Sequence, residues 1–416
     1  MSSDPAVLDR LRKACGDDRA RAAGESDAVD GVPAAAVAAP ADQDGVAEVL
    51  RCAAQDGLTV VPRGAGTKLT WGCPPSTVDL VIDVSALDSV LEHAAGDLVV
   101  RVQPGVKLTE LAGVLATAGQ RLAIDEVVPG STVGGVISTA LTGPSRLLYG
   151  TIRDLLIGIT VVRADGAVTH SGGKVVKNVA GYDLGKLYAG AFGTLGVITE
   201  AIFRLHPLPE TAAWVGVELP DAAAAAAPVA GVLDSQTAPT AVEVSQPAPD
   251  GAVTVAVLLE GLGAGVEARA ATISSLLGAG ARVNDQQPSW WSRLPGPTTI
   301  KLTAETATVP RVLTGISAAA AAGGLTPDVR GSAGVGVLYA GLPADADPAA
   351  VAGFVEALRT LTAGAGGSTV VLTAPAAVRT AVDPWGPVPA LALMRRLKDQ
   401  FDPDHRLAPG RFVGGI

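Results

Sequence analysis

The amino-acid sequence predicts an α+β protein of more than one domain, and three observations lead there. At 416 residues the chain exceeds what one simple core accommodates, so two or three domains are expected. The first half shows short strands, tight turns and a few amphipathic helices, closed by Pro207 and Pro209. From Trp214 to Thr373 strands are separated by alanine-rich helices in an order that reads as βαββαβ written twice. That order implies one mainly antiparallel sheet with helices on one face.

In chain order, residues 44–55 read as a helix, because Val46, Val49, Leu50 and Ala53 recur at helical spacing and Gly57 supplies a C-terminal stop. This helix feeds an apolar strand at 58–62. Residues 78–84 alternate as a strand, and residues 89–92 and 98–103 pair as a hairpin around Ala95-Gly96-Asp97. A helix at 108–118 ends at Gly119. The apolar run 155–163 turns at Ala164-Asp165-Gly166 into 168–171, and Gly193-Thr194-Leu195-Gly196-Val197-Ile198-Thr199 passes into a strand at 201–205. Beyond the prolines, strands are expected at 214–219, 241–245, 253–259, 299–302, 335–340 and 369–372, and helices at 266–277, 309–321 and 349–361. Residues 221–233 read as a helix that Pro228 breaks or offsets. Their alanine run carries no chemistry and reflects helix propensity. A basic helix at 391–401 precedes a tail rich in Pro and Gly.

The chemistry sits in two glycine loops. Pro62-Arg63-Gly64-Ala65-Gly66-Thr67-Lys68 follows a strand, and Pro129-Gly130-Ser131-Thr132-Val133-Gly134-Gly135 answers it later. A strand that empties into glycines exposes backbone N–H groups to an anion without a side chain in the way. Two such loops can grip one pyrophosphate, which points to a dinucleotide. The loops are neither a Rossmann nor a Walker motif. After Gly64 and Gly66 the third glycine position holds Leu69, with Pro74 and Pro75 soon after, and no Gly-Lys is followed by Ser or Thr.

Composition excludes several classes. The net charge of −10 argues against DNA or RNA as a partner. Cys15, Cys52 and Cys73 are too scattered for a disulfide framework or an iron–sulfur site, so iron–sulfur chemistry would belong to another chain. His93, His170, His206 and His405 lack ligand spacing, and no metal is expected. The polar N-terminus and the lack of a long apolar stretch lead us to expect no secretory signal, no membrane span and a cytoplasmic chain.

Taken in order, the two loops, the stretch Lys174-Val175-Val176-Lys177-Asn178-Val179-Ala180-Gly181-Tyr182-Asp183-Leu184, the Gly193 strand entry and the terminal F-D-P-x-x-x-L-x-P-G-R-F resemble the FAD-binding PCMH-type, or vanillyl-alcohol-oxidase-like, flavoproteins. Within them the sequence most resembles the smaller FAD-binding subunits of glycolate oxidase (glycolate dehydrogenase), the E type. The resemblance is strong over residues 31–209, good over the last thirty residues and weak between. It implies a two-subdomain FAD-binding domain, at residues 31–96 and 97–210 after an N-terminal extension 1–30. An α+β cap would occupy 211–385, and a C-terminal helix and tail, 386–416, would return to the FAD domain.

Carried onto this sequence, the backbone amides of Gly64, Ala65, Gly66 and Thr67 would hold the pyrophosphate, with Arg63 and Lys68 nearby. Each hydrogen bond to the charged group contributes about 1.5–3 kcal/mol. Pro129, Gly130, Ser131, Thr132, Gly134 and Gly135 would face the pyrophosphate and ribityl chain, and Gly196, Val197 and Ile198 the flavin or adenine. The first loop has no histidine and Cys73 lies beyond it, so FAD is expected to be non-covalent. The expected partners are a small 2-hydroxy acid such as glycolate, a larger flavin subunit and an iron–sulfur subunit, with the inner membrane face reached only through them.

Two departures bear on catalysis. Relatives with D-2-hydroxyacid dehydrogenase activity carry a histidine-rich H-x-G-D-G-N-x-H segment in the cap, and here no histidine lies between Trp214 and Leu391. Oxidising a hydroxy acid needs a base for the hydroxyl proton and a cation for the carboxylate. Candidate cations are Arg282, Arg293, Lys301 and Arg330, with Trp290, Trp291 and Tyr339 as walls. The tail also has Ala408 where relatives usually have asparagine, and Lys177, Tyr182 and Asp183 would support the flavin site without an assigned role. No catalytic residue is assigned. Two alternatives stay open: a stand-alone flavin oxidoreductase on another alcohol or hydroxy acid with Tyr182 or Tyr339 as base, and a non-catalytic assembly subunit.

Overall fold

The computed structural model describes residues 5–174, 182–249 and 251–416. The chain divides into two compact units: the first comprises Met1–Thr142, Thr151–Leu208 and Pro387–Ile416, the second Gly143–Gly150 and Pro209–Gly386.

The first unit begins with α1 (Pro5–Cys15), β1 (Ala20–Ala22), β2 (Ala34–Ala38), α2 (Gln43–Gln55), β3 (Val60–Arg63) and β4 (Val78–Asp83). These strands form a sheet of order β1-β2-β4-β3, in which β4 runs parallel to both β2 and β3. The helix between β2 and β3 supplies the crossover that parallel strands require. The α2 start is set by Asp42, whose side chain accepts from the Gly45 N–H at 2.8 Å. Its buried face, Val46, Val49, Leu50 and Ala53, packs with Val60, Leu80 and Ile82.

A second sheet follows from β5 (Val90–Ala94) and β6 (Val99–Val102), and after α3 (Leu108–Ala116), β7 (Gln120–Arg121), α4 (Val133–Thr139), α5 (Arg146–Tyr149) and α6 (Ile152–Leu155) it gains β8 (Leu156–Val162) and β9 (Val168–Gly172). With α7 (Gly185–Tyr188) between, β10 (Val197–Arg204) completes the antiparallel order β5-β6-β10-β8-β9, and β11 (His206–Pro207) pairs with β7. The hairpin expected around Ala95-Gly96-Asp97 is β5–β6. Its first strand therefore belongs to the second sheet, which starts at Val90 rather than at residue 97.

The second unit contains one sheet of eight strands, in the order β15-β12-β14-β13-β17-β18-β16-β19, all antiparallel. Its strands are β12 (Thr211–Leu219), β13 (Ala241–Gln246), β14 (Val253–Gly261), β15 (Arg282–Asn284), β16 (Thr298–Thr303), β17 (Asp328–Ser332), β18 (Val337–Leu342) and β19 (Thr369–Thr373). The helices are α8 (Ala226–Leu233), α9 (Gly263–Leu277), α10 (Val309–Gly323), α11 (Pro348–Ala363) and α12 (Ala376–Ala381). Alternate strand residues such as Val255, Val257, Ile300, Leu302, Leu338 and Ala340 share a core with Ile273, Val312, Ile316, Phe354 and Leu358 of the helices. Pro228 lies in the first turn of α8, where its missing N–H costs no hydrogen bond, so the helix starts at Ala226 instead of residue 221.

The strands β15 and β17 were absent from the expected pattern. The β17 sequence Asp328-Val329-Arg330-Gly331-Ser332 holds three residue types common in turns, Asp, Gly and Ser. Gly331 is nonetheless a strand residue, because a Cβ there would lie 2.2 Å from the Val337 carbonyl oxygen.

Candidate functional site

A cleft opens in the first unit where β3 ends. Every residue from Arg63 to Lys68 lines it, joined by Thr132, Gly134 and Gly135 from the second glycine loop and by Gly196, Val197 and Ile198 at the start of β10. Distant loops thus meet at one place. The N–H groups of Gly64, Ala65, Gly66, Thr67 and Lys68 make no hydrogen bond among the described residues. Folded chains rarely leave such groups unpaired away from water, so a run of them along a cleft marks a site for an acceptor-rich ligand.

The glycines are required by the approach of the two loops. A Cβ on Gly64 would lie 2.7 Å from Thr132 Oγ1, and Gly66 adopts φ 73°. Thr132 caps α4, its hydroxyl accepting from the Gly135 N–H at 3.3 Å, so Pro129 to Gly135 is a helix entry, a feature the sequence reading lacked. Pro129, Gly130 and Ser131 do not line the cleft. The Gly130 N–H donates to Glu126 Oε1 at 2.9 Å.

The two cations expected near the phosphates differ. Arg63 is engaged within the fold: Nη1 donates to Asp27 Oδ1 at 3.0 Å, and Nε and Nη2 to Asp83 Oδ2 at 3.1 and 2.8 Å. Asp27 is also bonded by Arg21, and these partners hold its carboxyl well below the usual range. Lys68 has no carboxylate partner in bonding contact. It is buried, its ammonium donating to Ser131 Oγ at 2.7 Å and Thr67 Oγ1 at 3.0 Å. Burial pushes it down to about 8, against an upward pull from Glu126.

The terminal motif closes the same region. In α13 (Leu391–Phe401) Lys398 is fully buried and donates to Asp402 Oδ2 at 2.6 Å and to the carbonyls of Thr194 and Leu407, each at 2.8 Å. Asp402 also accepts from the Leu407 N–H at 2.7 Å. The tail then runs beside β3, with Val60 N–H donating to Arg406 O at 2.8 Å and Ala408 N–H to Val60 O at 2.7 Å. Ala408 is buried at φ 44°, a left-handed conformation that asparagine tolerates better than alanine. Arg411 lines the cleft and donates to Leu69 O and Trp71 O at 2.6 and 3.0 Å. Phe192, stacked on Phe412 at 5.7 Å, lines it too. Arg411 and Phe192 were not among the expected contacts, although Arg411 lies within the terminal motif and Phe192 directly precedes the Gly193 stretch.

Among the described lining residues there is no histidine or cysteine. Lys177 lies outside the described residues. Tyr182 is 92% exposed, and Asp183 pairs with Lys186 at 3.6 Å.

In the second unit, the sheet face turned away from the helix core holds Trp214, Leu258, Ala256 and Trp291 at one end. Further along, the register sets Lys301 beside Tyr339 and Tyr339 beside Arg330. Arg146 of α5, unexpected from the sequence, joins Lys301 and Tyr339. Arg282 and Arg293 are exposed, Arg282 on the strand at the far edge of the sheet.

Comparison with known proteins agrees with the cleft. Residues 34–172 match the protein family described as FAD binding domain. The glycolate oxidase subunit GlcD of Bacillus subtilis is 36% identical over 209 residues, 50% of this chain and 44% of that protein. The glycolate oxidase subunit GlcE of Escherichia coli is 32% identical over 164 residues, 39% of this chain and 46% of that protein. The matches thus span less than half the length of either relative. Among solved structures, p-cresol methylhydroxylase with substrate bound superimposes with a TM-score of 0.78 at 16% identity, covering 98% of this chain and 96% of that one, a likeness of fold alone.

Fold and cleft together define a flavoprotein with an α+β cap. Residues 34–172 are an FAD-binding domain, and the cofactor is FAD.

Proposed function

We propose that the chain is the FAD-binding subunit of a multi-subunit 2-hydroxy-acid dehydrogenase that takes part in oxidising glycolate to glyoxylate. The observation that carries this is the run of unpaired amides from Gly64 to Lys68 lining the cleft, in a chain similar to two glycolate oxidase subunits. Bound FAD supplies the acceptor for the hydride. The chain's own residues bind and orient it: the first loop's amides and the Lys68 ammonium take the pyrophosphate, and Thr132, Gly134 and Gly135 bound the opposite wall. No lining histidine or cysteine is at hand for a covalent link, which supports non-covalent binding.

Dependence on partners is inferred from the cap, which has no histidine between Trp214 and Leu391 to accept the hydroxyl proton. The partners would be a larger flavin subunit and an iron–sulfur subunit that takes the electrons. No helix among the described residues is long and apolar enough to cross a membrane, so any contact with a membrane would run through those partners.

The test is the visible spectrum of the chain purified alone, before and after anaerobic glycolate or D-lactate, repeated with the partner subunits. Flavin bands that persist alone and bleach in the complex are expected. Bleaching of the isolated chain would instead make it a stand-alone dehydrogenase. Bands that persist in the complex as well would leave an assembly subunit.

A further inference from the structure

The buried ammonium of Lys68 is held by hydroxyls rather than by an acid. Of its three N–H groups one goes to Thr67 Oγ1 at 3.0 Å and one to Ser131 Oγ at 2.7 Å, and the third has no acceptor among the described residues. The ammonium stands against the second loop, since a Cβ on Gly135 would lie 3.7 Å from its Nζ. A cation so placed keeps one donor for a ligand, but burial works against its charge.

The compensation comes from the chain just ahead of that loop. Glu126, half-buried between β7 and α4, accepts from the Gly130 N–H at 2.9 Å through Oε1. Gly130 adopts φ 75° there, and the next residue, Ser131, donates its hydroxyl to Val128 O at 2.6 Å, which leaves its lone pairs to Lys68. Glu126 thus fixes the turn that presents the Ser131 oxygen to the ammonium. Its carboxylate makes no ion pair among the described residues, and its charge pulls Lys68 upward from a distance. An acid in direct contact would take the third N–H, whereas one held further back offsets burial and leaves that donor to the ligand. Of the other charged groups on the cleft, Arg63 is engaged by Asp27 and Asp83, and Arg411 is bound to Leu69 O and Trp71 O.

We propose that Glu126 is a positioning residue for FAD, pinning the second loop through Gly130 and serving as counter-charge to the Lys68 ammonium, whose remaining N–H meets the pyrophosphate. This role rests on the placement of the pyrophosphate at the first loop and is independent of the substrate.

The test is the FAD affinity of the full chain, stripped of flavin, followed by fluorescence titration between about pH 6 and 9 in the parent, Glu126→Gln, Glu126→Ala and Lys68→Met. Affinity of the parent is flat at low pH and falls above about 8, where the free protein has lost the Lys68 proton. In Glu126→Gln the amide oxygen still accepts from Gly130 but carries no charge, so Lys68 gives up its proton at lower pH and the fall begins earlier. Across that range this variant should lose at least about twofold more affinity than the parent loses. Glu126→Ala gives up the Gly130 bond as well, and at the low end of the range it should bind about threefold or more weakly than Glu126→Gln. In Lys68→Met the fall disappears, and adding Glu126→Gln does not bring it back.

A fall that begins at the same pH in Glu126→Gln as in the parent would overturn the counter-charge, whether affinity is lower throughout, as for a residue that only holds structure, or higher throughout, as for plain repulsion of the pyrophosphate. Equal affinity of the two Glu126 variants at low pH would overturn the pinning of the loop. A Lys68→Met chain that binds FAD as tightly as the parent would overturn the placement of the pyrophosphate and the role of Glu126 with it. Weak binding by Lys68→Met beside an unmoved fall in Glu126→Gln would overturn the role of Glu126 alone.

Discussion

The cleft of the first unit presents backbone, whereas the sheet face of the second unit presents side chains. In the cleft, consecutive amides from Gly64 to Lys68 are left over by the fold, and Gly64 keeps the second loop close. On the sheet face, Arg146, Lys301 and Tyr339 come from three separate segments and are held by register and by one short helix. A run of backbone groups needs neighbours in sequence and leaves a motif. A cluster of side chains needs only neighbours in space, and leaves none.

The largest effect is expected from the latch that holds the tail beside the cleft. Lys398→Met strands the buried Asp402 carboxylate, and losing one member of a buried pair costs about 3–5 kcal/mol. Urea unfolding should show that loss, while the same substitution at the exposed Arg396 should change stability little. Equal effects at the two positions would mean that the tail is not anchored there.

Next comes Gly64→Val, which drives a side chain toward Thr132 Oγ1 and parts the two loops. FAD content should fall more than tenfold with circular dichroism unchanged. If retention is normal, the approach of the loops is not what shapes the cofactor site.

A smaller effect separates the two cations of the cleft. Lys68→Met removes a charge that the fold leaves for the ligand, and at least a tenfold weaker FAD affinity is expected by fluorescence titration. Arg63→Lys, by contrast, disturbs the Asp27 and Asp83 pairs, so it should lower stability more than affinity. The pH dependence follows from the Lys68 value of about 8. Below it the free protein already carries the proton and FAD affinity is flat. Above it the proton must be taken up on binding, so affinity falls as pH rises. Without FAD the sign for stability is opposite: between about 8 and 10.5 the unfolded chain binds the proton that the folded chain has lost, and Lys68 makes stability rise with pH.

Much of the first unit was legible because its signals are local. Helical spacing and an Asp cap define α2, a turn of Ala95-Gly96-Asp97 joins β5 to β6, and the loop glycines stand in unbroken order. The sheet of the second unit was legible in class, since alternating apolar residues and helices imply one covered face. The strand β17 was not, because Asp328, Gly331 and Ser332 are turn-favouring residues that become strand only by pairing with β13 and β18. Arg146 sits in a stretch that reads as part of the FAD domain and packs in the other unit. Lys398 looked like one more charge on a basic helix; the signal was Asp402 four residues on, meaningful only once both are buried.

The central claim is that backbone amides of the first loop, with no covalent link, hold FAD in the cleft. The most direct measurement is the absorption spectrum of the purified chain reconstituted with FAD, before and after acid precipitation. The account predicts bound flavin bands that pass quantitatively into the supernatant as free FAD and are missing from Gly64→Val. Flavin that stays with the precipitate, or that binds the Gly64→Val protein as well as the parent, would contradict it.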